Sequence, residues 1–187
     1  MEKQLYYHTT IAGCERDLPL CSLNDKLMIG AFVIFGDPEL TTACAKELLK
    51  KAPEYDYVIT AEAKGIPLAH EMARLAGNRK YFVARKAPKL YMTGVMEVHV
   101  HSITTAAEQM LYLDAADAAM MKGKKILVVD DVISTGESLH ALEELVNHAG
   151  GEICGKMAIL AEGDAQERED LIYLEKLPLF DSNGNAI

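Results

Sequence analysis

The sequence predicts an α/β fold: an open parallel sheet of about five strands flanked by helices. Short, continuous apolar runs such as Ile126–Val129 suit strands that are buried on both faces of a sheet. These runs alternate with segments of about ten to fifteen residues that carry apolar side chains at helical spacing. Strands and helices that alternate in this way are typical of right-handed βαβ units.

Length and charge narrow the class of protein. The 187 residues fit a single domain, with residues 1–36 as a small cap and 37–180 as the core. A formal net charge of −9 argues against binding of nucleic acid through its phosphates. The chain shows no secretory leader, no run long enough to span a bilayer and no metal-type cysteine spacing. We therefore expect a soluble cytoplasmic protein with reduced thiols and no membrane partner.

Local start and stop signals place the elements of the core. Asp37-Pro38 combines an N-cap with a proline at the first helical position, and Gly77-Asn78 is a typical helix end. In chain order we predict a helix over 37–51, a strand over 55–60, a helix over 66–76, a strand over 80–84, a helix over 114–121, a strand over 126–130, a helix over 137–148 and a strand over 153–161.

Two regions depart from this repeat. In the cap, Ile29–Phe35 is the segment most typical of a strand. Within 91–113, Met96–His101 and Gln109–Leu113 alternate between apolar and polar residues, which predicts a protruding antiparallel ribbon. His99 and His101 share one face of that ribbon, where we expect partly exposed strand positions rather than a metal site.

The stretch Ile126–Ser138 carries the chemistry of a sugar phosphate site. Asp130 and Asp131 follow a buried strand, and ionised carboxylates there can accept hydrogen bonds from vicinal hydroxyls. The next turn opens a helix, where backbone N–H groups and the helix dipole favour a phosphate. That turn, the phosphate loop, consists of Ser134, Thr135, Gly136, Glu137 and Ser138.

This stretch resembles the phosphoribosyl pyrophosphate (PRPP) motif of type I phosphoribosyltransferases. The resemblance implies the fold of that family, with Asp130 and Asp131 as the catalytic residues that orient the ribose and the phosphate loop on the 5-phosphate. Glu137 departs from the pattern, because many members have glycine or lysine there; we expect it to point to solvent. A strand followed by two aspartates also begins receiver domains, but there the pair lies near the start of the domain.

Two further segments resemble the pyrophosphate site of the same family. Residues 61–66 are similar to the pyrophosphate loop of adenine-type enzymes, with lysine in place of arginine and isoleucine in place of phenylalanine. Residues 85–90 resemble the basic segment that follows the third strand, although a solvated basic turn would have the same composition. The resemblance assigns to pyrophosphate Glu62, Ala63, Lys64, Gly65, Arg85, Lys86 and Lys89.

The family resemblance implies transfer of ribose 5-phosphate from PRPP to a nucleobase, with a purine of the adenine or xanthine type as the expected base. It implies Mg²⁺ held through PRPP and water, a homodimer, and a flexible ribbon that closes over PRPP. Ile133 and Glu162 are the candidate contacts to the base. The alternative is a regulator that senses PRPP without consuming it, because residues 85–89, the ribbon and residues 159–166 also resemble the effector domain of the bacterial purine operon repressor.

Overall fold

The computed structural model describes residues 4–101 and 108–187. In chain order the strands are β1 Tyr6–Ile11, β2 Cys14–Ser22, β3 Leu27–Gly30, β4 Tyr57–Ala61, β5 Phe82–Ala84, β6 Met96–His101, β7 Glu108–Leu113, β8 Lys125–Ile133, β9 Glu152–Glu162, β10 Ile172–Leu177 and β11 Leu179–Asp181. The helices are α1 Pro38–Lys51, α2 Ile66–Ala76, α3 Ala115–Met121 and α4 Glu137–His148, with a 3-10 helix at Gly163–Glu167.

The main sheet has five parallel strands in the order β10-β9-β8-β4-β5. This confirms the predicted fold class and the four core strands predicted from apolar runs. β8 ends three residues later than predicted, because it stays paired with β9 as far as Ile133 and Ala161. β10 was not predicted as a strand. Its edge position leaves most of its residues only partly buried, so its sequence lacks a continuous apolar run.

One apolar cluster lies on each face of the main sheet. On one face, α3, α4 and the ribbon β6–β7 contribute to the first cluster. On the other face, α1, α2 and the N-terminal strands contribute to the second, which includes Ile11, Leu18 and Leu177. α2 and α4 have the predicted bounds, and α1 and α3 agree within one residue. Among the described residues, no helix is long and apolar enough to cross a membrane.

The cap is an antiparallel sheet with the order β1-β2-β3-β11. The strand predicted at Ile29–Phe35 is wrong, because only Ile29 and Gly30 belong to β3. The following residues still alternate, with Phe32 and Ile34 buried and the residues between and after them exposed. Their alternation therefore reflects packing of a connecting segment on the core and not the pairing of a strand.

Asp37 connects the cap sheet to the first core helix. Its Oδ1 accepts a hydrogen bond from Leu40 N at 3.0 Å, which makes it the N-cap of α1. Arg16 of β2 donates to both carboxylate oxygens, from Nε at 2.7 Å and from Nη2 at 3.0 Å. The Arg16 guanidinium, with the Leu40 N–H as a smaller cause, lowers the pKa of Asp37.

The ribbon forms as predicted, with β6 and β7 paired antiparallel from Met96–Leu113 to His101–Glu108. Its described part does not protrude, however. Val98, Leu111 and Leu113 are at most 5% exposed and belong to the cluster that includes α4. The ribbon predicted to close over PRPP lies within residues 91–113, of which 102–107 lie outside the described residues, and its closure stays a prediction.

Candidate active site

The predicted site residues lie where four neighbouring strands of the main sheet end. β4 leads into Glu62–Gly65, β5 into the basic segment Arg85–Lys89, β8 into the phosphate loop, and β9 ends at Glu162. Because parallel strands end at one edge of the sheet, these segments share one crevice, the usual position of ligands in open α/β sheets. The structure therefore brings together side chains that are up to about 100 residues apart in sequence, a separation that parallel crossovers permit.

Asp130 and Asp131 form the centre of this crevice. Asp131 is 3% exposed, and its Oδ2 lies 2.8 Å from Lys64 Nζ. The pair is close enough for an ion pair but does not have the angle of a hydrogen bond, so this buried oxygen has no hydrogen-bond donor among the described residues. Burial, and next the charge of Asp131, raise the pKa of Asp130 to about 7.

Gly65 must be a glycine because of what surrounds it. It precedes α2, and a Cβ atom built on it would lie 2.1 Å from Thr60 Oγ1 and 2.9 Å from Asp130 Oδ1. The loop backbone can thus approach Asp130 only without a side chain at this position. The neighbouring peptide bond between Glu62 and Ala63 is cis, which no residue pattern predicted.

Three residues of the basic segment lie close to the Glu62 carboxylate. Arg85 Nη2 lies 3.2 Å from Glu62 Oε1, and Lys89 Nζ lies 4.0 Å from the same atom. The Lys86 backbone N–H donates to Oε2 at 3.1 Å and is the main cause of the lowered pKa of Glu62. Glu62 therefore supplies part of the negative charge that we expected pyrophosphate to bring to these basic residues. Arg85 Nε is buried and has no hydrogen-bond acceptor among the described residues.

The phosphate loop encloses a small cavity. This cavity has a volume of about 140 Å³ and is lined by Asp130 and by residues 132–139. Gly136 has a φ of 81°, a left-handed conformation that favours glycine, and immediately precedes α4. The loop thus places the first N–H groups of a twelve-residue helix beside the cavity, where they favour an anion.

The two candidate base contacts are both buried but differ in chemistry. Glu162 is 8% exposed; burial raises the pKa of its carboxyl group, and a hydrogen bond with Ser134 opposes that shift. Ile133 is 4% exposed and packs in the cluster that includes α4, so little of its surface is open to a base. Its predicted contact with a base stays a prediction. His99 is partly exposed, as expected, and lies 3.5 Å from Glu97.

Two contacts to the site were missing from the sequence prediction. The carbonyl oxygen of Phe32 accepts a hydrogen bond from Lys64 Nζ at 3.4 Å, so the segment after the cap reaches the crevice. Arg168 lies beside Gly136 of the phosphate loop. Both depend on the packing of distant segments, and Arg168 stands in a run of charged residues that reads as solvated surface.

The site combines a carboxylate pair, a glycine-containing helix start and basic loops at one edge of an open parallel sheet. These features define an α/β domain with a crevice suited to anionic groups. The model of the phosphoribosyl transferase domain family matches residues 39–183. The chain therefore belongs to this family, which confirms the resemblance found in the sequence.

Relatives of known name are moderately similar. A hypoxanthine/guanine phosphoribosyltransferase of Methanococcus maripaludis is 34% identical over 131 residues, which cover 70% of this chain and 66% of that protein. An adenine phosphoribosyltransferase of Petrotoga mobilis is 31% identical over 142 residues, which cover 74% of this chain and 78% of that protein. The chain thus spans slightly less than two thirds of the Methanococcus protein's length.

Solved structures share the fold. The adenine phosphoribosyltransferase of Thermoanaerobacter pseudethanolicus superposes with a TM-score of 0.65 at 20% identity, covering 76% of this chain and 84% of that chain. That of Rhodothermus marinus gives a TM-score of 0.63 at 20% identity and covers 92% and 94%. These neighbours confirm the type I phosphoribosyltransferase fold.

Proposed function

We propose that this protein is a purine phosphoribosyltransferase, which transfers ribose 5-phosphate from PRPP to a ring nitrogen of a purine and releases pyrophosphate. The observation that carries the proposal is the continuous arrangement of Asp130, Asp131 and the phosphate loop at the end of β8, with Lys64 beside Asp131. The names of the relatives, both purine phosphoribosyltransferases, support the same substrate class.

Each part of PRPP has a chemically suitable partner in the crevice. Asp130 and Asp131 can accept hydrogen bonds from the ribose hydroxyls, and the phosphate loop can donate backbone N–H groups to the 5-phosphate. Lys64, with Arg85 and Lys89, can face the pyrophosphate group, where fixed positive charge stabilises the leaving group as the anomeric bond breaks. No covalent nucleophile is needed, so these residues act by binding, orienting and excluding water.

The described residues suit magnesium that is held mainly by the substrate. They contain no group of three or more side chains that could hold a metal by themselves. Asp131 Oδ2 already faces Lys64 Nζ at 2.8 Å. The site therefore fits a Mg²⁺ ion that takes its ligands mainly from PRPP and water. When bound, the ion would neutralise the charge of the pyrophosphate group.

The proposed function is tested by measuring pyrophosphate release and nucleotide formation with PRPP, Mg²⁺ and adenine, hypoxanthine, guanine or xanthine in turn. We expect turnover with one or more of these purines, and the preferred one separates the adenine type from the 6-oxopurine type. Asp131→Asn should lose turnover, whereas Asp181→Asn in the cap sheet should keep it. A wild-type protein that binds PRPP yet forms no nucleotide with any base would instead be a PRPP sensor.

A further inference from the structure

Arg168 lies directly beside the phosphate loop. It follows the 3-10 helix Gly163–Glu167, and its Nη1 lies 3.0 Å from the position that a Cβ atom on Gly136 would occupy. A guanidinium group therefore approaches the backbone at the start of α4. Arg168 is not among the residues that line the 140 Å³ cavity, so its charge acts on the cavity across the loop backbone.

A network of ion pairs fixes the orientation of Arg168. Its Nε donates to Asp170 Oδ1 at 3.0 Å and its Nη2 to Asp170 Oδ2 at 2.8 Å, a bidentate pair. Lys156 Nζ lies 2.7 Å from the same Oδ2 and also pairs with Glu143 of α4. The guanidinium is thus tied to the helix that the phosphate loop opens. Nη1 donates no hydrogen bond to any described residue, and this is the nitrogen that lies beside the loop.

The phosphate loop needs a nearby positive charge that its own sequence does not contain. Its residues are Ser134, Thr135, Gly136, Glu137 and Ser138, so the only ionisable side chain among them is a carboxylate. A phosphate monoester carries a charge of about −1.5 to −2 at pH 7, with its second pKa near 6. The backbone N–H groups and helix dipole supply only partial charges. Asp170 is the counterion of Arg168 through Nε and Nη2, so Nη1 is the part of the guanidinium group that brings positive charge to the loop.

We infer that Arg168 is a positioning residue for the sugar 5-phosphate: its guanidinium group packs beside the backbone of the phosphate loop at Gly136 and adds positive charge next to the loop. This inference rests on the proposed function, because it takes the ligand of the loop to be the 5-phosphate of PRPP. It predicts that substitution of Arg168 weakens binding of the 5-phosphate and leaves binding of pyrophosphate unchanged.

The test compares two ligands that each carry one half of the anionic substrate. Binding of ribose 5-phosphate and of pyrophosphate, both with Mg²⁺, is measured by calorimetry for the wild type, Arg168→Gln and Arg168→Lys. Lys176→Gln is the matched control, because Lys176 is 57% exposed and pairs at 3.7 Å with Glu167 of the adjoining 3-10 helix. We expect Arg168→Gln to weaken ribose 5-phosphate binding about tenfold, the loss typical of a charged contact.

Pyrophosphate binding should stay within about twofold in all variants, and Arg168→Lys should retain more ribose 5-phosphate affinity than Arg168→Gln. Equal weakening of both ligands, or a lysine variant no better than glutamine, overturns the inference in favour of a general structural role. Unchanged ribose 5-phosphate binding in Arg168→Gln overturns it as well. A wild-type protein that binds no ribose 5-phosphate would overturn the proposed function and this inference together.

Discussion

Asp130 is an acidic residue whose folded environment favours the protonated form. Burial is the main cause and the charge of Asp131 the second, and together they raise its pKa to about 7, against an ordinary value near 4. Between those two pH values the folded state binds more protons at this site than the unfolded state does. The contribution of Asp130 to stability is therefore fully present below about pH 4 and is lost as the pH rises towards 7.

Removing this carboxyl group should flatten the pH dependence of stability. We expect the melting temperature of Asp130→Asn, relative to the wild type, to rise between pH 5 and pH 8. Asp181→Asn is the control, because hydrogen bonds from Asn185 lower the pKa of Asp181 and its contribution changes only in acid. Thermal unfolding at four or five pH values checks this. A difference between Asp130→Asn and the wild type that does not change with pH would contradict it.

Gly65 offers a test in which stability and binding separate. Gly65→Ala places a Cβ atom 2.1 Å from Thr60 Oγ1, so we expect a loss of about 1–3 kcal/mol in the free energy of unfolding. Adding Thr60→Ala removes the hydroxyl and should recover much of that stability. PRPP affinity should be low in Gly65→Ala and remain low in the double variant, because the new Cβ atom still lies 2.9 Å from Asp130 Oδ1. Urea unfolding and PRPP titration give the two readouts. Full recovery of binding would show that the contact with Asp130 is unimportant.

At this scale the sequence was most informative where the site is contiguous. Asp130, Asp131 and the phosphate loop occupy one stretch, so their residue types and their resemblance to the PRPP motif predicted them together. Lys64 was also identified, but its pairing with Asp131 could not be predicted, because it depends on the crossover between β4 and β8. Arg168 gave no signal at all: a charged residue among charged residues looks the same whether it faces solvent or a loop 32 residues earlier in the chain.

Among the elements, the ribbon β6–β7 differs from its predicted protruding form. Leu111 is 3% exposed within the cluster that includes α4, so the base of the ribbon is part of the core. Leu111→Ala should therefore destabilise the protein by about 2–5 kcal/mol, as large-to-small substitutions in a core do. Glu97→Ala, on the opposite, exposed face of β6, should change stability by less than about 0.5 kcal/mol. Chemical denaturation measures the stability of both variants. Equal effects of the two substitutions would support the protruding ribbon that the sequence predicted.

Elements with strong end signals were predicted well, and half-exposed ones were not. α2 ends at a glycine with a φ of 75°, and α4 begins after Gly136, so both boundaries are visible in the sequence. β10 and the cap strands lie at sheet edges or in a sheet with one open face. Most of their residues are partly buried or exposed, and their apolar pattern is correspondingly weak.

At the scale of the whole molecule, the chain crosses from the main sheet to the cap sheet near its C-terminal end. β10 completes the main sheet, and β11, after a single proline, pairs with β3 of the cap sheet. Phe180 of β11 is 2% exposed, and its ring lies 5.0 Å from that of Tyr7. The cap is therefore closed by residues that the sequence analysis placed at the end of the core. The single domain and the homodimer stay predictions.

Phe180→Ala should destabilise the protein by about 3–5 kcal/mol, because it empties a fully packed position between the cap strands. Ile187→Ala, 72% exposed, is the control and should have little effect. Circular dichroism during thermal unfolding compares the two. If both variants unfold like the wild type, β11 is not needed to hold the cap sheet.

Because Asp37 binds both the cap sheet and helix α1, it limits how far the cap sheet can move independently of the core. The same carboxylate accepts the N–H of Leu40 at the start of α1 and both hydrogen bonds from Arg16 of the cap sheet. A double-mutant cycle with Arg16→Ala and Asp37→Ala should therefore give a thermodynamic coupling clearly different from zero. A tilt of the cap sheet that moves Arg16 away would remove the counterion of the Asp37 carboxylate, which is the N-cap of α1. Fraying of α1 would therefore accompany displacement of the cap sheet. The cap sheet and helix α1 of the core are joined not only by packed side chains but also by one carboxylate that both of them bind.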